Sequence, residues 1–224
     1  MTHPVRIIVT CGPAAEPIDE VRSIINFSTG ALGTQISDHL AAQGWEIICL
    51  RGKKSVYPAP HHAKVLPFST NSDLERLLQQ LAVSSPPIQA ILHVAALADF
   101  HLNRVEDHKG KKISSLKFSS HLTEIKLILT PASKIIQKLR NWFPDSKIVG
   151  WKYELEGTPA DALACGRQQI NENRTDACVV NGKAWGKGFA FLEKSTLNHP
   201  PKVLPTHTRL CAHLKQWLMT QLPP

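Results

Sequence analysis

The run IQAILHVAAL, Ile88 to Leu97, is apolar at nearly every position. A strand with one wet face alternates polar and apolar residues, so a run like this one must be covered on both faces. Shorter runs of the same kind recur at VRIIVT (Val5–Thr10), WEIICLRG, KVLPF, SKIVGW and DACVVNG. Segments with helical spacing stand between them. The alternation predicts an α/β fold: a Rossmann-like, mostly parallel sheet covered by helices.

The intervening helices carry their own start and stop signals. GALGTQISDHLAAQGW has apolar positions at Leu32, Ile36, Leu40 and Ala41, with Gly44 where a C-cap belongs. STNSDLERLLQQLAV opens on N-cap candidates Ser69, Thr70 and Asn71. TPADALACGRQQINEN has Thr158 as N-cap and Pro159 in the first turn. SKIIQKLRNWF and the closing HTRLCAHLKQWLMTQL complete the helices, and GKGFAFLEKS reads as an edge strand or hairpin. The region from about 99 to 130 differs: polar, basic and alternating (SLKFSS, EIKLIL), it predicts a β-rich flap or arm projecting from the sheet. The proline pairs at Pro86/Pro87 and Pro200/Pro201 read as loops rather than boundaries, so residues 1–224 form one expected domain.

Composition narrows the function classes. No apolar run approaches the ~20 residues of a membrane span, and the N-terminus lacks a charged segment followed by a long apolar one; a cytoplasmic protein is expected. Five widely spaced cysteines without a CxxC argue against a disulfide framework or a zinc knuckle, and Cys49 and Cys178 sit in apolar strands as small hydrophobes. Eleven histidines show no HxH or HExxH spacing, so no metal-binding residues are assigned. The net charge of +8 suits an anionic partner. Its clusters, Arg51–Lys54 and Lys109–Lys112, lack interleaved aromatics, so nucleic acid is not the expected partner.

The most informative stretch follows the first strand: EPIDEVRSIINFSTGALG, Glu16 to Gly33. In an open parallel sheet, ligands bind beyond the carboxyl ends of the strands. Here glycines of CGP and FSTGALG lie near a helix start, where free N–H groups and the helix dipole favour an anion, and Ser28 and Thr29 add hydroxyls. Gly30-x-x-Gly33 is only half of a dinucleotide fingerprint and lies well past the first turn. Tyr57 and Tyr153 are followed four positions on by His61 and Gly157 rather than lysine, which excludes the Tyr-x-x-x-Lys pair of a short-chain reductase.

EPIDEVRSIINFSTGALG resembles the phosphopantothenate–cysteine ligase (phosphopantothenoylcysteine synthetase) family, in which Gly-Gly-Thr-x-Glu-Pro-Ile-Asp-x-Val-Arg leads to Ile-Ser-Asn-x-Ser-Ser-Gly-x-x-Gly. The likeness continues in order through AALADF (Ala95–Phe100), HKGKK (His108–Lys112), IVGWKYELEG and DACVVNG, and covers Val5 to about Gly188. The resemblance implies that 4′-phosphopantothenate is joined to cysteine in coenzyme A synthesis. CTP or ATP, accompanied by Mg²⁺, activates the carboxylate as an acyl nucleotidylate. No flavin is implied, and a stand-alone synthetase domain acting as a homodimer is expected, its arm reaching the partner's site.

By the same resemblance, Asn26 holds the carboxylate and the acyl intermediate, and Lys109 on the flap supplies positive charge. Asp99 bonds the nucleotide beside the Ala95 and Ala96 backbone, and Trp151 packs near the base. Gly12, Ser28 and Gly30 cradle phosphates, and Asn181 belongs to the nucleotide end. On the residues alone, Asn26 reads as a turn residue bonded to its own loop, Asp99 equally as an N-cap or strand-end turn residue, Trp151 as a core aromatic, Lys109 as one of several solvated lysines, and Arg22 as a partner of Asp19 or Glu16. The chain departs from the family pattern at CGP, Ala31, Gly110, Gly182, Gln169 and Asn173. These positions cluster at the nucleotide. They leave CTP and ATP both open, with a noncatalytic nucleotide-binding protein on the same fold as the alternative.

Overall fold

The computed structural model describes residues 4–222; Met1–His3 and the final two prolines, included in the expected domain, lie outside the described residues. The elements follow in chain order. Strand β1 (Arg6–Cys11) leads into a short hairpin, β2 (Ala15–Pro17) and β3 (Ser23–Ile25), then helix α1 (Ala31–Ala41). Next come β4 (Glu46–Gly52), β5 (Lys64–Phe68), α2 (Asn71–Ala82) and β6 (Ala90–His93). The arm comprises β7 (Phe100–Asp107), β8 (Lys112–Ile113) and β9 (Ile125–Pro131). The chain returns through α3 (Ile135–Trp142), β10 (Lys147–Tyr153), α4 (Pro159–Asn173) and β11 (Ala177–Asn181). It closes with β12 (Phe189–Glu193), β13 (Lys202–Leu204) and α5 (His207–Gln221).

Eight strands form one sheet in the order β13-β12-β11-β10-β6-β1-β4-β5. The six strands from β11 to β5 are parallel, as their apolar runs require, and β12 runs antiparallel beside β11. Starting at β1, the chain winds outward through β4 to β5, then crosses back to β6 on the other side of β1. The strand order therefore reverses between β1 and β6, the position where doubly wound sheets open a ligand crevice.

Alternate residues of the parallel strands face opposite layers. Ile7, Val9 and Leu92 pack with Ile36 and Leu40 of α1 and with Leu214 and Leu218 of α5. Ile8, Ile91 and Ile148 pack with Leu74 and Leu78 of α2 and with Ile135 and Leu139 of α3. Helix α4 covers Cys178, Val180 and Leu192 on that second face. Cys49 and Cys178 are fully buried, as small hydrophobes should be.

Capping fixes the helix starts. Thr70 and Thr158 each complete a capping box, with Asp73 and Asp161 respectively. Gly44 adopts φ 83° just past α1, where the turn needs a left-handed residue. Two sequence expectations change. GKGFAFLEKS forms a hairpin with the preceding β11 and is not the sheet edge, because β13 covers it, pairing Ala190 with Val203; the flanking Pro200, Pro201 and Pro205 hide β13 as a loop. The central run yields only a four-residue strand, because Val94–Asp99 leaves the sheet to build the site. Pro67 is tolerated in β5 because that strand lies at the opposite edge.

Candidate active site

The loops after β1 and β6 meet above the sheet and zip together. Ala96 N donates to Gly12 O at 3.0 Å, and Ala14 N donates to Ala96 O at 3.0 Å. Ala95 N donates to Thr10 Oγ1 at 3.1 Å. Asn71, at the start of α2, grips Ala98 twice, through Nδ2 to Ala98 O at 2.8 Å and through Oδ1 from Ala98 N at 3.2 Å. The buried carboxylate of Glu16 accepts the Asn71 N–H at 2.8 Å. Asn26 ties the two loops at their rim, its Nδ2 donating to Leu97 O at 2.7 Å.

Around this seam lies a cleft of about 990 Å³, on the α1 side of the strand ends. Its walls include Gly12, Asn26, Ser28 and Gly30 on one side, Ala96 and Asp99 at the seam, and Trp151 and Asn181 opposite. Helix α1 points its N-terminus into it, with no acidic residue in its first turn; Thr29 Oγ1 accepts the Ala31 N–H at 3.2 Å, and the next N–H groups are left for an anion. Gly12 and Gly30 both have positive φ, 76° and 80°, and Ser55 of the following loop packs against both. The Ser28 hydroxyl accepts from Gly30 N at 3.4 Å, leaving its proton for a ligand.

A second, inner pocket of about 340 Å³ opens on the other face of the sheet, between α3 and α4. The two cavities share Leu97, Asp99 and Trp151, so they adjoin at the strand ends. Ala95 lines the inner pocket rather than the outer cleft. Asp99 is exposed and paired with Lys134 Nζ at 2.9 Å. The Trp151 indole N–H and the Asn181 side-chain carbonyl are buried without partners, as are the carbonyl oxygens of Gln169 and Asn173 in the inner pocket. Unpaired buried polar atoms of this kind suit a site that completes its hydrogen bonds with a ligand.

The structure thus gathers nine of the ten residues singled out from the sequence. The exception is Lys109, expected at the reacting groups. It occupies the tip of the arm, its N–H bonded to Asp107 Oδ1 at 2.9 Å, and does not line either cavity of its own chain. The reason is geometric: β7 and β9 pair along their length and carry the tip away from the sheet. Sequence reasoning missed Thr10, Glu16, Asn71 and His93. Glu16 carried a usable signal, as the carboxylate nearest the first strand, but it was read only as a possible partner of Arg22.

The base of the arm is anchored. Arg22 pairs with Asp19 and sends Nη2 to Phe118 O at 3.3 Å, while Phe118 N donates to Asp19 Oδ2 at 3.2 Å. Burial alone would raise the Asp19 carboxyl. The N–H donors of Val21, Phe118 and Arg22, with the guanidinium, outweigh it and hold the group below the ordinary carboxylate range. The anchor is therefore complete above the ordinary carboxylate pKa and is lost as pH falls through the lowered value. Asp19→Ala should release residues 114–124 at neutral pH, read as several-fold faster proteolytic cleavage there with the sheet core intact. Unchanged cleavage would mean that the arm is held elsewhere.

Taken together, the reversed strand order and the anion-ready cleft at the switch point define a doubly wound α/β protein with a built ligand site. More specifically, the chain belongs to the DNA/pantothenate metabolism flavoprotein C-terminal domain family, whose sequence model matches residues 3–198. It is 29% identical over 182 residues to the coenzyme A biosynthesis bifunctional protein CoaBC of Thermococcus kodakarensis, covering 81% of this chain and 42% of that protein. It is 27% identical over 184 residues to CoaBC of Bacillus subtilis, covering 82% of this chain and 42% of that protein. The chain thus spans about two fifths of the length of these curated relatives. The crystal structure of the DNA/pantothenate metabolism flavoprotein from Streptococcus pneumoniae shares the fold, with a TM-score of 0.84 at 23% identity, over 97% of this chain and 100% of that one. A Cab2 mutant in complex with phosphopantothenate-cysteine also shares it, with a TM-score of 0.65 at 17% identity, over 97% of this chain and 89% of that one. Among the described residues no helix is long and apolar enough to cross a membrane.

Proposed function

We propose that this chain is a phosphopantothenate–cysteine ligase working in cytoplasmic coenzyme A synthesis. The observation that carries the reading is Asn26, fixed to Leu97 at the point where the anion-ready cleft meets the pocket across the strand ends. The names of the CoaBC relatives and the ligand of the Cab2 structure support the substrate class.

In the first step a carboxylate oxygen of 4′-phosphopantothenate attacks the α-phosphorus of CTP or ATP. The bond from that phosphorus to the bridging oxygen breaks, and pyrophosphate leaves. In the second, the cysteine amine attacks the acyl carbon, the bond to the phosphate oxygen breaks, and the nucleoside monophosphate leaves as the amine gives up a proton. Both steps need positioning and charge stabilisation more than a base. Asn26 keeps a second amide N–H and its carbonyl for the carboxylate and acyl group. The α1 N-terminus, Gly12, Gly30 and Ser28 receive phosphate oxygens. Asp99 accepts from the sugar hydroxyls, the small side chains of Ala95 and Ala96 let the nucleotide approach the backbone, Trp151 flanks the base, and Asn181 closes the nucleotide end. Among the described residues no three His, Cys, Asp or Glu side chains gather to hold a metal, so in this reading Mg²⁺ arrives with the triphosphate and neutralises its charge.

Lys109 acts in trans in this reading. The arm exposes Phe100, Leu122, Ile125 and Leu129, an apolar surface suited to a second copy of the chain, and a homodimer would bring the tip to the partner's cleft. A monomer by sedimentation at micromolar concentration counts against this. To test the chemistry, the protein is mixed with 4′-phosphopantothenate, Mg²⁺ and either CTP or ATP, without cysteine, and quenched for mass spectrometry. The acyl nucleotidylate is expected with at least one nucleotide. Nucleotide binding without any adduct would favour the noncatalytic alternative.

A further inference from the structure

His93 ends β6 on the face of the sheet that carries the inner pocket and lines that pocket while remaining 7% exposed. Its Nδ1 lies 3.1 Å from the Thr10 hydroxyl. That hydroxyl already accepts the Ala95 N–H at 3.1 Å, so its own proton is available to point at the imidazole. An imidazole that accepts at Nδ1 carries its proton on Nε2. Burial pushes the ring down to about 4, which keeps it neutral.

The rest of the pocket complements a donor. Gln169 spends its amide nitrogen on Trp151 O at 3.0 Å, and Asn173 spends its own on Gln169 O at 2.9 Å. Each therefore retains a carbonyl oxygen without a partner. Gly150 makes room for the Gln169 amide, since a Cβ there would fall 2.2 Å from Oε1. The pocket floor thus offers one neutral donor and two neutral acceptors, all attached to the sheet or α4.

We propose that His93, fixed as its Nε2–H tautomer by Thr10, is a specificity-determining residue that donates to an acceptor atom of the nucleobase, with the Gln169 and Asn173 carbonyls receiving the base's amino group. This rests on the reading of the cleft as a nucleotide site. It adds the chemistry the pocket floor selects: a heterocycle with an acceptor beside an amino group.

The test is calorimetric titration of CTP and ATP, with Mg²⁺, into the full chain and its variants. His93→Leu leaves the base acceptor unpaired and should weaken binding about tenfold. His93→Gln sets a donor near the position of Nε2 and should recover most of that loss. Nitrogen-15 NMR of the imidazole should show Nδ1 unprotonated and Nε2 protonated. Thr10→Val keeps the ring in place but should yield mixed tautomers, which gives a reading even if His93→Leu folds poorly. Unchanged nucleotide affinity in His93→Leu, or an Nδ1-protonated ring in the unaltered chain, overturns the proposal alone. Absence of CTP and ATP binding by the unaltered chain overturns the nucleotide reading, and the ligand of this proposal with it.

Discussion

Asn26→Ala should reduce turnover by at least about a hundredfold while the melting temperature stays within a few degrees of the unaltered chain. The first half follows from what the amide does. Removing one preorganised donor at a centre where charge develops costs on the order of 10²–10³ in rate. The second half follows from exposure. Asn26 is solvent-exposed and makes one hydrogen bond, to Leu97 O, worth about 1 kcal/mol net. In a chain of this size that corresponds to roughly 2–4 °C. Asn26→Asp should be as inactive, because it loses the donor and adds a negative charge beside the substrate carboxylate. Steady-state kinetics with a thermal melt on the same preparation separate the outcomes. Near-normal turnover by Asn26→Ala would remove this residue from the chemistry.

Gly12→Ala should be costly in a different way, lowering stability and nucleotide affinity together. At φ 76° an L-residue is strained by about 1–2 kcal/mol. Its Cβ would also fall 1.9 Å from Ser55 Oγ and 3.2 Å from Ser55 Cβ, so the hydroxyl must rotate away and the side chain must still give by a few tenths of an ångström. With that crowding the total is about 2–4 kcal/mol, or roughly 4–16 °C in melting temperature. The shift also disturbs the bond from Ala96 N to Gly12 O, and with it the alignment of the two loops. Adding Ser55→Gly relieves the steric part but not the backbone strain, so the double variant should recover only part of the loss. Full recovery would mean that the positive φ carries no cost; none would mean that Ser55 is not the obstacle.

What the sequence made legible has a physical pattern. The parallel strands were readable because burial on both faces removes alternation, and α4 was readable because Thr158 and Pro159 mark its start. The two-sided cleft was readable only in part. Asn26, Ser28 and Gly30 lie on one continuous loop, where a single stretch of sequence carries the family resemblance. The pins of the second loop come from distant segments: Asn71 reaches Ala98 from α2, and Thr10 reaches Ala95 from β1. No local spacing encodes such contacts. His93 was hidden for a related reason, since one polar residue in an apolar strand reveals nothing until the facing helix supplies Gln169 and Asn173. Lys109 was identified by its motif, but its position depends on how far the paired β7 and β9 carry the arm, and in a homodimer on the second chain.

The most direct test of the central claim is continuous pyrophosphate release by the purified chain with 4′-phosphopantothenate, Mg²⁺ and CTP or ATP, with and without cysteine. Expected is sustained release with at least one nucleotide only when cysteine is present, and a single-turnover burst when it is absent. The contrary result is the absence of cysteine-dependent release with both nucleotides, from protein that still binds one of them. That would leave a nucleotide-binding fold without the ligase reaction.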